Sequence, residues 1–275
     1  MRPLAYSIII ALLPAFIPAA NLHADESNIS QFVRDSDRDF VGRLLSYERS
    51  NQDGSRAERI DVYRASETRL EVMKSAARCT QAALVSAELG FQTWSGDTVT
   101  GGALLPGAEV MEFAFLTHDR EAGQLNTAVH LPDQTLTFET PTSDGPLHLY
   151  DYDLASLTAL TPYLVNPQAG LSVNFALMWA DPANPSVTMM GEETFVFDGR
   201  QPGETGDVLT YAASGALGEG YLWLDAEDGH IVEAAFAEPN HPGYDSFRLR
   251  LTGVTDTDAE GWQQHLTAHY EDCGG

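Results

Sequence analysis

Two histidines near the C-terminus, His265 and His269, are spaced as metal ligands on a helix would be. Residues four apart share one helix face, so both imidazoles could reach one ion. The neighbouring residues instead alternate with a period of two, which predicts a strand over 262–271. A strand rises about 3.3 Å per residue, so the two rings would lie about 13 Å apart. The pattern therefore predicts no metal site here.

An acidic loop precedes these histidines. Asp256, Asp258 and Glu260 match the first, third and fifth positions of a calcium-binding loop, and Gly261 matches its glycine. The twelfth position, which must supply a bidentate carboxylate, is Thr267. We interpret the segment as an acidic hairpin turn between the last two strands.

His148, Asp151 and Asp153 form the one group that could perform acid–base chemistry. The chain around them suggests structural roles: Asp153 is predicted to cap a short helix and Asp151 to lie in a turn. No Gly-x-Ser-x-Gly, phosphate-binding glycine loop, Cys-x-x-Cys or His-Glu-x-x-His motif occurs. The sequence therefore predicts no catalytic residue, no metal and no cofactor.

Short segments with alternating polar and apolar residues follow one another from Phe40 onward. Turn signals such as Asp144-Gly145, Gly101-Gly102 and Asp198-Gly199 separate them. This pattern predicts an all-β protein, a strongly curved antiparallel sheet or open barrel of about 12–15 strands. Strands are expected near 41–49, 59–64, 68–74, 81–88, 91–99, 109–117, 124–131, 134–140, 171–179, 192–198, 206–213, 219–225, 230–237, 244–254 and 262–271.

One segment, 153–161, has a helical pattern. Leu154, Leu157 and Leu160 recur at near-helical spacing, and Pro162 ends the segment. One short helix is therefore predicted among the strands.

Several strands carry one apolar face. The residues of these faces are Met111, Phe113 and Phe115, then Val173, Phe175 and Leu177, then Phe195 and Phe197. A curved sheet must cover such faces with a helix, its own opposite wall or an apolar ligand. Because one short helix can cover only a small part of these apolar faces, we expect the eight side chains to line a ligand cavity. The alternative is a sheet that closes on itself around a packed core.

The hairpin at 220–232, with the sequence GYLWLDAEDGHIV, resembles one in periplasmic curved-sheet proteins of the lipoprotein-carrier type. That resemblance implies an open β-barrel whose apolar cavity, under a small helical lid, carries acyl chains. The helix at 153–161 would be that lid.

The N-terminus has the pattern of a secretory signal peptide: Arg2, then an apolar stretch from Leu4 to Ala20. The predicted organisation is a signal peptide at 1–24, a flexible segment at 25–39 and a single β-rich domain at 40–275. The mature protein is expected to be periplasmic or secreted, with no stable membrane span.

Charge and cysteine content narrow the functional classes further. The chain has 40 Asp and Glu against 15 Lys and Arg, so its surface repels nucleic acid. Its two cysteines, Cys79 and Cys273, are expected to form a disulfide in an oxidising compartment, with two free buried thiols as the alternative.

These observations favour an exported, non-enzymatic binding or envelope-associated protein for an apolar or acyl-chain ligand. A structural or protein-interaction module that docks a partner along a sheet edge is the first alternative. An exported hydrolase acting through His148, Asp151 and Asp153 is the second.

Overall fold

The computed structural model describes residues 29–179, 185–204 and 206–273. Fifteen strands in these ranges form one curved sheet that does not close, which confirms the predicted all-β class. The strands are β1 (Arg43–Ser50), β2 (Glu58–Arg64), β3 (Arg69–Ser75), β4 (Ala82–Gly90), β5 (Ser95–Leu105), β6 (Glu109–Asp119), β7 (Gln124–Leu131), β8 (Gln134–Pro141), β9 (Leu147–Leu149), β10 (Leu171–Trp179), β11 (Ser186–Pro202), β12 (Asp207–Gly215), β13 (Gly220–Asp225), β14 (Ile231–Phe236) and β15 (Phe247–Asp256). The helices are α1 (Ala155–Leu160) and α2 (Ala259–Ala268).

The order across the sheet is β8-β7-β6-β5-β4-β3-β2-β1-β15-β14-β13-β12-β11-β10-β9. Neighbouring strands are antiparallel except for β9, which runs parallel to β10. The two ends of the sheet overlap, because β9 packs against β5 and β11 packs against β8. This overlap encloses a space between the two ends.

Irregular pairing bends the sheet at several points. The Gly101-Gly102 pair, expected in a turn, lies inside β5 at a bulge opposite β6. A Cβ on Gly102 would lie 2.7 Å from Val110 Cγ1, so the close approach requires glycine. Asp198-Gly199, also expected in a turn, lies inside β11 at a second bulge. Bulges increase local twist and let a long sheet curl.

The predicted helix at 153–161 is confirmed as α1, but it is not a lid. Leu154, Leu157 and Leu160 are fully buried in the main core, where α1 packs against β3, β5 and β9. The helix therefore fills the concave face of the sheet, which provides much of the cover that the apolar strand faces need.

The strand prediction for 262–271 is wrong, because this segment forms α2. Trp262 and Leu266 are buried, and Trp262 stacks on Tyr63 at 5.1 Å between ring centroids. The alternation of this segment resembles a strand, but its apolar residues also recur every four positions, which matches a helix.

The acidic segment before α2 is a helix start and not a hairpin turn. The Asp258 side chain accepts a hydrogen bond from the backbone N–H of Gly261, 2.8 Å away. His265 and His269 lie on one helix but contact different groups: His265 Nε2 lies 3.0 Å from Asp61 Oδ2, and His269 Nε2 lies 2.9 Å from the Thr80 carbonyl. They do not share a ligand position.

The predicted disulfide is present. Cys79, in the β3–β4 loop, is bonded to Cys273, which follows α2, and the Cα atoms are 5.5 Å apart. The bond fastens the C-terminal helix to the outer face of the sheet, and it is compatible with an oxidising compartment.

The segment before β1 packs onto the α1 region. Phe32 forms a bridge with Leu164, and the Val33 N–H donates to the Tyr163 carbonyl. The predicted signal peptide at 1–24 lies outside the described residues. No helix in the described ranges is long and apolar enough to cross a membrane.

Candidate functional site

Four of the eight predicted ligand-lining residues belong to the packed core. Val173, Phe175 and Phe195 are fully buried and Leu177 is 7% exposed, all within the main cluster. They share one buried cluster with Leu157 and Leu160 of α1, and Phe175 packs edge-on against Tyr150, so they do not face an open cavity.

The three β6 residues that were predicted to line a cavity lie in different surroundings. At the bulge opposite Gly101 and Gly102, Phe113 has no partner on β5. The extra residue shifts the alternation, so Phe113 lines a cavity while Phe115 faces the outer groove of β6–β8. Met111 is 57% exposed. On β11, Phe197 packs edge-on against Tyr211 at the margin of the main core.

The cavity that Phe113 lines has a volume of about 430 Å³, within the range of small-molecule sites. It lies between the overlapping ends of the sheet. Most of its wall is apolar, and its lining residues are Lys74, Ala83, Val85, Val99, Gly101, Gly102, Phe113, Ala114, Leu116, Leu149, Asp151, Tyr152, Met178, Trp179, Asn240, His241 and Pro242.

One end of the cavity is polar, and residues distant in sequence form it. Lys74 is the penultimate residue of β3, and Asp151 lies in a 3₁₀ turn after β9. Asn240 and His241 lie in the β14–β15 loop. Lys74 is the only lysine in the sequence, and its side chain is 11% exposed.

Behind the polar end lies a buried charge network centred on Asp153. Its Oδ2 lies 2.6 Å from Lys74 Nζ, and its Oδ1 lies 3.1 Å from Arg49 Nη1. Asn240 donates to the same Oδ1 at 2.7 Å, and Arg49 also pairs with Glu58. Burial opposes ionisation of Asp153, but Arg49 and Lys74 outweigh it and hold the pKa of this carboxyl well below its usual range.

His241 is a neutral member of this network. Arg49 Nη1 lies 2.7 Å from His241 Nδ1, and because a guanidinium can only donate, the imidazole must accept. Burial lowers the pKa of His241 well below its usual value. The ring therefore adds no charge to the polar end near neutral pH.

Asp151 differs from Asp153 because it has no ion pair with any residue that the structure describes. Its Oδ1 accepts from the Met178 N–H at 2.9 Å, while its backbone carbonyl accepts from Lys74. Burial raises the pKa of Asp151 to about 6, although Lys74 partly opposes the shift. This carboxyl reaches the cavity wall and changes charge near neutral pH.

Replacing Asp151 with asparagine should raise the free energy of unfolding at pH 8 by about 1–3 kcal/mol. The folded protein holds the Asp151 proton more tightly than the unfolded chain, so this carboxyl lowers stability as pH rises from 3.8 to about 6. The variant should match the wild type at pH 4 and exceed it at pH 8 in urea titrations. Asp133→Asn, at an exposed turn, is the control. A loss of stability at pH 8 would show that Lys74 requires the ionised carboxylate.

No protein-family model and no curated protein matches this sequence. The assignment of a function therefore depends on the cavity and on the groups that face it.

The structure does not assemble His148, Asp151 and Asp153 into the acid–base group of the hydrolase alternative. His148 is 1% exposed and is hydrogen-bonded to the hydroxyl of Ser156, 2.8 Å away. Burial lowers the pKa of His148 to about 3. Neither His148 nor Ser156 lines the cavity, and Asp153 is already neutralised. The predicted cap role of Asp153 is wrong, because Leu154 is the N-cap residue of α1 and Asp153 pairs with Arg49. Asp151 does lie in a turn, but its side chain bonds to the distant Met178 N–H.

The β13–β14 turn brings together a group that could hold a metal ion, Asp225, Asp228 and His230, with ligand atoms within 4.8 Å of one another. Each carboxylate already has a protein partner. Asp225 Oδ1 accepts from the N–H groups of Glu227 and Asp228, and Asp228 lies 2.6 Å from Arg43. These contacts account for the cluster as a stabilised hairpin turn.

Sequence reasoning missed Lys74, Asn240 and His241. They lie far apart in the sequence, and no local pattern relates them. The single lysine in an acidic chain was the one available signal, and its position inside an apolar strand pattern could have indicated a special role.

Proposed function

We propose that this protein is an exported, non-enzymatic binding protein that holds an apolar or acyl-chain ligand in the cavity between the ends of its sheet. The observation that carries the proposal is a cavity of about 430 Å³ with apolar walls and one polar end. Binding sites for amphiphilic small molecules have this composition, because the walls bury the chain and a few polar groups orient it.

The position of the cavity also supports a carrier. Met178 and Trp179 of β10 face Phe113 and Leu116 of β6 across it, so the wall belongs to both ends of the sheet. The two ends are packed together but are not joined by strand pairing. A small change in the overlap of the two ends would alter the volume of the cavity without breaking the hydrogen bonds between paired strands.

Filling the cavity tests this proposal. Gly101 lines it, and a Cβ there would meet only Ala114 Cβ, at 3.6 Å, so Gly101→Leu should fold and occupy ligand space. Gly253→Leu introduces the same side chain on β15, where nothing lies within 4 Å of the new Cβ. The mature protein should bind the fluorescent apolar probe N-phenyl-1-naphthylamine, and Gly101→Leu should weaken binding at least tenfold. Gly253→Leu should bind as the wild type does.

Native mass spectrometry of protein purified from the periplasm provides an independent measurement. A co-purifying acyl-chain species should accompany the wild type and be lost from Gly101→Leu. Equal probe binding by Gly101→Leu, or the lack of any bound apolar compound, would contradict the proposal.

A sheet-edge interaction module is the second candidate, and β8 is the observation that favours it. Among the described strands, this eight-residue strand pairs with β7 alone, although β11 packs against it, and its side chains alternate between exposed and half-buried. A peptide could add to its unpaired edge by strand addition. Gly101→Leu would leave that edge unchanged, so a partner retained by this variant would favour the second candidate.

A further inference from the structure

The polar end of the cavity contains a cation whose charge is already balanced. Lys74 Nζ lies 2.6 Å from Asp153 Oδ2 and also donates to the Asp151 carbonyl. An ammonium has three N–H donors, so these contacts leave at most one for a ligand. Lys74 is therefore not a free cation that would attract an anionic head group.

The surrounding charges disfavour an anion further. The side chains that face one another here are the cations Lys74 and Arg49 and the carboxylates of Asp151, Asp153 and Glu58. His241 is neutral. When Asp151 is ionised, carboxylates outnumber cations, so an incoming carboxylate would meet a site of the same sign in a poorly solvated wall.

The unused hydrogen-bonding groups are mostly acceptors. The Asn240 amide donates to the Tyr150 carbonyl at 3.1 Å and to Asp153 at 2.7 Å, which fixes its orientation. Its Oδ1 is buried and has no hydrogen-bond partner among the described residues. One oxygen of Asp151 accepts from Met178, and no described residue donates a hydrogen bond to the other. A head group that donates hydrogen bonds would satisfy these acceptors, and an unmet buried acceptor is unfavourable.

We infer that the cavity selects amphiphiles with an uncharged, hydrogen-bond-donating head group, such as the hydroxyls of a monoacylglycerol, over fatty acid anions. This inference rests on the proposed function, because it names the head group of the ligand whose chain the apolar walls hold.

The test compares ligands that share one chain length. Monodecanoylglycerol and decanoate each compete with N-phenyl-1-naphthylamine for the mature protein at pH 7.5. Monodecanoylglycerol should bind at least tenfold more tightly than decanoate. Tighter or equal binding of decanoate would overturn the inference while leaving the proposed function intact. If neither compound binds, the proposed function itself fails, and the inference with it.

Asp151→Asn distinguishes the head-group site from general apolar binding. The substitution removes a negative charge and introduces an amide donor, so decanoate should gain at least fivefold in affinity. Monodecanoylglycerol should change less than threefold, because its hydroxyls can accept as well as donate. Asp133→Asn, at the exposed β7–β8 turn, should keep the wild-type order. Unchanged decanoate affinity in Asp151→Asn would show that the head group lies elsewhere.

The single lysine provides a direct structural readout. Protein labelled with ¹⁵N at lysine Nζ gives one side-chain signal, from Lys74. Monodecanoylglycerol should shift this signal at the concentrations at which it displaces the probe. Displacement without a shift would place the head group away from Lys74 and contradict the inference.

Discussion

Replacing Asp153 with asparagine is expected to lower the free energy of unfolding at pH 7 by about 3–5 kcal/mol. The carboxylate is 1% exposed and pairs with both Lys74 and Arg49, so its loss leaves buried positive charge without its main partner. Asparagine is the informative substitution because Asp153 has a φ of 51°, which asparagine also accepts. Urea titration followed by circular dichroism measures the loss.

Asp207→Asn is the matched control. Asp207 lies 2.8 Å from Arg200, but both side chains are about half exposed, so this pair should contribute only about 0–1 kcal/mol. Because the pKa of Asp153 is held below its usual 3.8, its contribution is present above that pH and is lost as pH falls toward the folded-state pKa. Equal losses for the two variants at pH 7 would refute the central role of Asp153.

The same network shapes the proposed ligand site. Asn240 connects Asp153 to the Tyr150 carbonyl, and the Tyr150 hydroxyl donates to the Glu238 carbonyl at 2.7 Å. These bonds hold the β14–β15 loop, which forms part of the cavity wall, against the 3₁₀ turn before α1. Stability and ligand binding should therefore depend on the same buried carboxylate.

Loss of the Cys79–Cys273 disulfide should lower the free energy of unfolding by about 2–5 kcal/mol. The bond joins residues 194 positions apart, so it restricts a very long loop in the unfolded chain. It also fastens α2, whose Trp262 and Leu266 cover the outer cluster around Tyr63 and Met73. We expect amide exchange in α2 to accelerate more than exchange in the central strands.

The measurement compares oxidised protein, reduced protein and the double variant Cys79→Ser/Cys273→Ser in urea. Reduced wild type and the double variant should be equally destabilised, and a reductant should not change the double variant. A double variant as stable as oxidised wild type would show that packing of α2 alone retains the C-terminus.

The sequence predicts the strands well because apolar and polar residues alternate along a half-buried strand of an antiparallel sheet. This alternation is a local property of the sequence. Each predicted strand except 262–271 overlaps an observed one, and the missed β9 has only three residues. The error at α2 arose because Trp262, Leu266 and Tyr270 fit both a strand alternation and a helical spacing of four. The N-cap signal of Asp258 was the local feature that distinguished them.

The candidate site was less predictable. Phe113 was identified, but the β6 bulge sends Phe115 to the opposite face, and no alternation pattern reveals a bulge in advance. Val173, Phe175 and Phe195 are as apolar as cavity residues would be, and only their packing in the tertiary structure makes them core.

The sequence by itself determined the strand content, the acidic surface, the one early helix and the cysteine pair, because each depends on composition or short-range periodicity. Only the tertiary structure decided that the sheet ends overlap, that a cavity lies between them, and that Lys74, Asp151 and Asn240 meet at its polar end. The physical reason is that a buried charge needs partners, and the partners of Asp153 come from β1, β3 and the β14–β15 loop. Those elements become neighbours only when the sheet curls.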